Sequence, residues 1–371
     1  MSINKISSIE AVALILIITI SRLALGLPQT ILFSCGSSSI LNIIYISLIV
    51  ILFTFLLVKL FKRFTNSDII DVSEFIGGKF FKNLIGIILA LYLVFVSATL
   101  IRDFSEVIHI LYYNDTPIVY LLLFFMVVCI LSNLLGEHSV VKTNLILCGI
   151  MLVSLIISFL SVFPNITIER ALPVLGYGAY QTFFAGLTNV FAFSGLISLY
   201  LIPPMLDNKN GFKKVAMWSV VITAILIVFA IASLLLSFSF SAEIEKISPL
   251  YLIISNNEFG RFFQHPESLF VFTWILSFMT YLNIICMFIL RIIKKLTNVK
   301  NEKPFVVFVV AIIFILSMIP KNIMQTRDLG VFCYKYIATP TVFIVFPILL
   351  FLANLKYKKM HKNDYDLPDK S

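Results

Sequence analysis

The first apolar stretch of the chain, residues 9–33, is long enough to cross a bilayer but is interrupted near its centre. A membrane-spanning helix needs about 20 residues, and its backbone groups must all find partners inside the protein. Gly26 loosens a helix, and Pro28 lacks an N–H donor. Such an interruption is tolerated where the freed groups line a cavity or meet other protein groups. We therefore interpret it as one wall of a small-molecule site; a proline kink used only for packing is the alternative.

The composition places nearly all of the chain in or near a membrane. Of its 371 residues, 60% are hydrophobic and only 13% are charged, which is unlike a soluble globular protein. Apolar runs separated by polar breaks predict about ten membrane spans, at residues 9–33, 40–61, 84–101, 117–135, 144–163, 182–205, 215–240, 268–293, 305–319 and 331–355. We expect a single membrane domain, residues 1–355, followed by a charged and disordered tail, residues 356–371.

The distribution of positive charge predicts the orientation of these spans. With the N-terminus inside, the interior segments hold most of the 28 Lys and Arg residues, as the positive-inside rule requires. Both termini are then expected in the cytoplasm, and the number of spans is even. The net charge of +9 follows this topology, so it does not indicate nucleic-acid binding. The first apolar stretch is too long for a cleavable signal peptide.

A second interrupted span is predicted at residues 182–205. Ser194-Gly195 lie near its centre, and Pro203-Pro204 lie toward its inner end. Interruptions in the first and sixth spans divide the chain into two halves of five spans each. Because five is odd, the halves lie in opposite orientations, which is the pattern of an inverted-repeat transporter. The binding site is then expected at the membrane midplane, between the two interrupted helices.

Arg22 is the one basic residue that this scheme places inside the membrane. A cation there costs roughly 2.5–3.5 kcal/mol on insertion scales, so it needs a partner or water. Arg22 either binds a ligand carboxylate or an acid on another helix, or it snorkels or bonds the carbonyls of its own broken helix. The sequence leaves both readings open. No Asp or Glu is predicted at comparable depth, which argues against a carboxylate proton relay.

Further polar and aromatic residues share helix faces near the two breaks. Ser194 and Ser198 are four residues apart and lie on one face. Trp274, Ser277 and Tyr281 form one stripe of the eighth predicted span, an arrangement found in ligand pockets and also in ordinary helix packing. With Tyr92 of the third span, the residues predicted to bind a ligand are Ser21, Arg22, Leu23, Ala24, Gly26, Pro28, Tyr92, Phe193, Ser194, Gly195, Leu196, Ser198, Trp274, Ser277 and Tyr281.

The sequence carries no motif typical of an enzyme. It lacks catalytic dyads, a phosphate-binding loop and a nucleotide motif, and its five cysteines are scattered without metal-ligand spacing. We therefore predict no enzymatic activity, no cofactor and no metal site. At the outer end of the third span, Arg102 and Glu106 are four residues apart, and we expect a solvated ion pair or an outer gate there.

Several short motifs follow one another along nearly the whole chain. They are Ile6-Ser7, Leu25-Gly26-Leu27-Pro28, Thr116-Pro117, Gly136-Glu137 with Lys142, residues 172–178 (LPVLGYG), Phe193-Ser194-Gly195, residues 267–274 (ESLFVFTW) and residues 355–359 (LKYKK). In order and spacing they resemble the spore germination permease family, the B subunits of spore germinant receptors. That family belongs to the amino acid–polyamine–organocation superfamily.

The resemblance implies an all-α, LeuT-like fold with a 5+5 inverted repeat and broken helices 1 and 6. It implies recognition of a small germinant, commonly an amino acid, in the lipid of the spore inner membrane, together with an A-type subunit and a lipoprotein C subunit. Ser21-Arg22-Leu23 replace the usual glycine-rich first break, and Leu196 stands where an acid often follows the glycine, so germinant identity does not transfer. An amino acid transporter with uptake activity, or a scaffold or channel component, are the alternatives.

Overall fold

The computed structural model describes residues 5–23, 25–162, 166–208, 210–237, 248–255 and 266–365. In these residues the regular structure is helical, apart from one isolated bridge between Ile6 and Leu206. The α-helices are α1 (Ser8–Leu23), α2 (Leu27–Cys35), α3 (Ser39–Phe61), α4 (Ile69–Tyr112), α5 (Ile118–Leu134), α6 (Glu137–Leu160), α7 (Ala179–Phe183), α8 (Gly211–Ser237), α9 (Pro249–Ser255), α10 (Pro266–Thr297), α11 (Lys303–Ser317), α12 (Ile323–Phe332) and α13 (Phe346–Tyr365).

The helices are long and apolar enough for a polytopic membrane protein. Within the described residues, seven continuous helical stretches could cross a membrane by length and composition, and α5 and α11 are shorter apolar helices. The seven stretches are Leu27–Phe61, Ile69–Tyr112, Glu137–Leu160, Ala179–Tyr200, Gly211–Ser237, Glu267–Thr297 and Ile323–Met360. The predicted all-helical membrane class is confirmed, while the count of ten crossings stays a prediction.

The centre of the molecule is formed by α1 and α10. α1 packs against α6, α8 and α10, and α10 also packs against α4 and α5. The side chains of α1 from Ala13 to Leu23 are all buried. By contrast, Leu52 of α3, Leu131 of α5 and Phe308 of α11 are exposed. Apolar side chains on this outer surface suit contact with lipid, because the bilayer core excludes polar groups.

The first predicted interruption is present between α1 and α2. α1 ends at Leu23, and α2 begins at Leu27 with Pro28 in its first turn, where a missing N–H costs no helical bond. Thr30 N–H then donates to the carbonyl of Gly26 (2.9 Å). Ala24 lies outside the described residues. The break therefore falls within the residues at which the sequence placed it.

The sixth span departs from a regular α-helix in a different way from the one predicted. After α7, a 3-10 helix runs over Ala185–Tyr200, and a second 3-10 turn covers Pro203–Met205. Ser194 and Gly195 therefore lie inside a continuous 3-10 helix rather than at a gap, and the chain leaves that helix at Leu201. The tighter i→i+3 bonds keep the backbone paired while changing the helical pitch.

Two polar features join the ends of the helices at the side predicted to be cytoplasmic. Asp68 caps α4 in a capping box with Asp71, and α4 is kinked at Gly77-Gly78, where Gly78 has a φ of 70°. The eight residues before the kink are buried or half-buried. Ile6 N–H donates to the carbonyl of Met205 (2.8 Å), so the start of the first span is tied to the end of the sixth.

The C-terminal span is one extended helical segment with two π-helical stretches. Cys333–Ala338 and Thr341–Val345 are wound as π-helix between α12 and α13. α13 continues to Tyr365, so the predicted disordered tail, residues 356–371, begins within a helix. Residues 366–371 lie outside the described part of the chain.

Candidate functional site

The break after α1 lies against the 3-10 helix of the sixth span, and Arg22 joins the two. Its Nη1 donates to the Ser194 hydroxyl (2.8 Å) and lies 3.5 Å from the carbonyl of Ala192. Its Nη2 donates to the carbonyl of Phe191 (3.2 Å). The guanidinium also stacks on the ring of Tyr334, with Cζ 3.7 Å from the ring centroid. Arg22 is 4% exposed, so this buried cation is held entirely by protein groups.

These contacts bear on the two readings of Arg22 that the sequence left open, and its ligand-binding role stays a prediction. The guanidinium does bond backbone carbonyls, but those of the sixth span rather than those of its own broken helix. Among the described residues, the contacts of Arg22 are to carbonyls, a hydroxyl and aromatic rings, with no carboxylate. Charge-assisted hydrogen bonds and a desolvated cation–π contact are each worth about 2 kcal/mol, which offsets the cost of burying the charge.

A large cavity opens on one side of Arg22. Its volume is about 800 Å³, which falls within the usual range for sites that bind small molecules. Gly26, Gln29, Thr30 and Phe33 line it from the break and α2, and Thr99 and Asp103 line it from α4. The 3-10 helix, α12 and the first π-helical stretch form the remaining wall. These segments lie toward the side that the sequence predicts to be exterior.

Charges of both signs line this large cavity. They come from Arg22, Asp103, Arg327 and Asp328. Asp103 accepts a hydrogen bond from Arg327 Nε (3.1 Å), which ties α4 to α12 across the cavity wall. The mixture suits a solute that carries its own donors and acceptors, because a buried charge must be paired or hydrogen-bonded.

A small cavity lies on the other side of Arg22 and Tyr334, which line both spaces. Its volume is about 20 Å³, enough for about one water molecule. The predicted site residues that meet there are Arg22, Tyr92, Gly195, Ser198 and Tyr281. These predicted residues therefore meet around a space that is too small for an amino acid in this conformation, and their binding role stays a prediction.

Other predicted residues take part in helix packing rather than in either cavity. Ser21 Oγ donates to the carbonyl of Ser277 (2.9 Å), which joins α1 to α10. Trp274 packs edge-on against Phe104, with ring centroids 5.4 Å apart. The remaining members of this group are buried and line neither of the two cavities: Leu23, Pro28, Phe193 and Leu196. Gly26 lines the large cavity, and Ser194 holds Arg22.

The residues of the site that were not predicted include Asp103, Arg327 and Tyr334. Opposite charges at the same end of the third and tenth spans were an available signal for the Asp103–Arg327 pair. Tyr334 carried no signal, because its direction depends on the π-helical turn at Cys333–Ala338. The neighbouring Arg102–Glu106 pair was expected to be a solvated ion pair or an outer gate. The solvated alternative is wrong, because both side chains are less than 10% exposed and Arg102 Nη2 lies 2.8 Å from the carboxylate; the gate stays a prediction.

Ion pairs close the opposite side of the molecule. Lys295 of α10 contacts the carboxylates of Asp68 (2.6 Å) and Asp71 (2.7 Å), and Arg291 lies 3.3 Å from Glu137. Burial raises the pKa of Asp68 above its ordinary value, although the Lys295 ammonium opposes the shift. With the Ile6–Met205 bond, these contacts hold α4, α6 and α10 together below the site, while the large cavity lies on the other side.

Comparisons with known proteins agree with this architecture. The family model described as "Spore germination protein" matches residues 5–326. Spore germination protein B2 of Bacillus subtilis is 24% identical over 216 residues, 58% of each chain. Spore germination protein KB of Bacillus subtilis is 22% identical over 231 residues, 61% of this chain and 62% of that protein. The matches thus span less than two thirds of these two relatives.

A longer match is found with spore germination protein GerQB of Bacillus cereus, 21% identical over 290 residues, 76% of this chain and 79% of that protein. Among solved structures, a Na⁺-coupled sialic acid symporter in a substrate-bound, outward-open state is similar with a TM-score of 0.59. That likeness covers 95% of this chain and 76% of the symporter at 12% identity. At this identity it shows the fold alone, which is LeuT-like.

The helices, the interrupted first span and the LeuT-like architecture together describe an integral membrane protein built as a permease. The family model extends over most of that architecture, from the start of the first span into α12. The chain therefore belongs to the spore permease family of spore germination proteins.

Proposed function

We propose that the chain is the B-type subunit of a spore germinant receptor, which binds a small germinant and signals germination with partner subunits. The family match and the names of the relatives support a role in germination. The observation that carries the binding role is the large cavity of about 800 Å³ against Arg22. It lies between the interrupted first span, α4, the 3-10 helix and α12.

The chemistry of that cavity favours an amino-acid-like solute. Asp103 and Arg327 supply an acceptor and a donor on one wall, and Arg22 supplies a second donor group at the floor. Gln29 and Thr30 add polar groups near the start of α2. A zwitterion carries charges that complement both signs in the cavity, whereas a large apolar ligand offers them no hydrogen bond. We assign the binding role to these residues together with the predicted residues Arg22 and Gly26.

Signalling requires that the germinant bind one conformation better than another. In the structure, the Arg22–Tyr334 contact separates the large cavity from the small one, and ion pairs such as Lys295–Asp68 hold the opposite side closed. A solute that contacts Arg22 and Arg327 at once affects the position of the first span relative to α12. We propose that the resulting shift is read by an A-type subunit and a lipoprotein C subunit in the spore inner membrane, with both termini in the cytoplasm.

The experiment compares spores that differ only in this chain. Spores lacking the gene should lose their response to at least one small-molecule trigger, and the unaltered gene should restore it. The informative variant is Gly330→Trp: Gly330 lines the large cavity, and an added Cβ there meets no atom within 4 Å. Its indole should project into the cavity and obstruct it without displacing the backbone, so the response should remain lost.

Gly149→Trp is the matched control for the cavity variant. Gly149 lies on the exposed face of α6, and an added Cβ there also meets nothing within 4 Å. This variant should restore germination as well as the unaltered gene, at equal protein level in the membrane. Deletion spores that answer a full panel of triggers normally, or G330W spores that respond like the control, contradict the proposal.

Uptake of an amino acid is the second candidate function. The LeuT-like fold favours it, because the similar solved structure is that of a symporter. Purified protein in liposomes should then accumulate a labelled solute saturably, without any partner subunit. A solute that binds but is not accumulated supports the receptor role, and accumulation at a steady rate supports transport.

A further inference from the structure

The surroundings of the Arg22 guanidinium form a site for a cation. Two backbone carbonyls, those of Phe191 and Ala192, and the Ser194 hydroxyl present oxygen atoms to it. The ring face of Tyr334, which is electron-rich, lies 3.7 Å away. Arg22 also stands in the last turn of α1, where the helix dipole favours positive charge. Each of these features stabilises a positive charge.

The oxygen atoms of this site are available to more than one cation. A carbonyl oxygen has two lone pairs. One can accept the N–H hydrogen bond of the 3-10 helix while the other contacts a cation. Phe191, Ala192 and Ser194 are each at most 2% exposed, so these oxygen atoms lie in a buried part of the fold, at the wall of the large cavity. The oxygen atoms of the sixth span and the Tyr334 ring favour a cation whether or not Arg22 supplies it. The Arg22 side chain is the cation that occupies the site in this structure.

We propose that the Arg22 guanidinium is a tethered occupant of a cation subsite formed by the carbonyls of Phe191 and Ala192, the Ser194 hydroxyl and the Tyr334 ring. Removal of the guanidinium leaves a subsite for a small free cation such as an alkylguanidinium. While Arg22 is in place, no free cation is needed at this position, so any binding step at the large cavity does not depend on a coupling ion here. The test needs no germinant, and its outcome is independent of the proposed function.

The experiment measures thermal unfolding of the purified chain in lipid nanodiscs with methylguanidinium, at constant ionic strength maintained with choline. Arg22→Ala should show a saturable rise in the unfolding midpoint, roughly 2 °C at ten times the half-saturating concentration. The unaltered chain and Arg22→Lys, which keep a tethered cation, should show no such rise. In Arg22→Ala with Ser194→Ala, the half-saturating concentration should increase, because one oxygen of the subsite is gone.

A rise of equal size in the unaltered chain, or no rise in Arg22→Ala, overturns the proposal. Hydrogen exchange of ¹⁵N-labelled arginine side chains tests it if Arg22→Ala does not fold. The Arg22 signals, assigned by their loss in Arg22→Lys, should exchange about tenfold or more slowly than those of the exposed Arg63. Exchange as fast as that of Arg63 means that the guanidinium is not held in a subsite, and it contradicts the assignment.

Discussion

Replacing Gly195 with alanine tests the close packing of the first and sixth spans. An alanine Cβ at this position lies 3.1 Å from Cγ2 of Ile18, whereas non-bonded carbon atoms pack best at about 3.5–4.0 Å. Ile18 is β-branched, so its χ1 has one strongly preferred value in a helix. It cannot turn away from the new methyl group, and the two helices must separate by a few tenths of an ångström.

The expected loss follows from two opposing contributions. Overpacking of a tight contact lowers the free energy of unfolding by about 1–3 kcal/mol. Replacing glycine by alanine in a helix raises it by about 1 kcal/mol. We therefore expect G195A to lower the free energy of unfolding by about 1 kcal/mol. In the control G149A, the new Cβ meets nothing within 4 Å, so stability should rise by about 0.5–1 kcal/mol.

The assay is reversible chemical unfolding of both variants in the same mixed micelles, followed by far-ultraviolet circular dichroism. The two free energies should differ by about 2 kcal/mol. Gly195→Val, which adds two further carbon atoms beside Ile18, should lose more than G195A does. Equal stability of G195A and G149A, or a more stable G195A, refutes the contact between α1 and the 3-10 helix.

Three further predictions concern charged side chains. Arg102→Met should cost about 3–5 kcal/mol of unfolding free energy by leaving the Glu106 carboxylate buried and unpaired, and adding Glu106→Gln should recover most of the loss; an unchanged single variant contradicts the burial. Asp103→Asn and Arg327→Gln should show a coupling energy of about 1–2 kcal/mol in a double-mutant cycle of unfolding free energies. If the losses of the two single variants add up in the double variant, the two side chains do not interact. Burial raises the pKa of Asp68, so the folded chain holds this proton more tightly than the unfolded chain. The associated stability is present below the ordinary carboxyl pKa and is lost as pH rises through the raised pKa; Asp68→Asn should flatten that part of the stability–pH curve.

Sequence reasoning located the elements because membrane insertion imposes strong rules on composition. Apolar length predicted the helices, and Gly26 with Pro28 predicted the break after α1, since both residues have steric effects that do not depend on tertiary context. Arg22 was singled out by its place inside the first span, Gly195 by the interruption predicted in the sixth span and Tyr281 by helix periodicity, and all three line the small cavity. These predictions depend on local properties of the chain, which the sequence states directly.

The details of the site depend on helix type, which periodicity at 3.6 residues does not report. The 3-10 winding of Ala185–Tyr200 turns the carbonyls of Phe191 and Ala192 toward Arg22. The π-helical turn at Cys333–Ala338 brings Tyr334 over the same guanidinium. A sequence of apolar residues fits all three helix types, so only tertiary packing distinguishes them. Cavity size is likewise a property of the packed state.

Equilibrium binding of a labelled germination trigger to the purified chain in nanodiscs tests the central claim most directly. Saturable binding should be present in the unaltered chain and in G149W, and it should be lost in G330W, whose indole obstructs the large cavity. Binding of equal affinity in G330W, with the protein folded, contradicts the assignment of the germinant site to the space between the interrupted first span and α12.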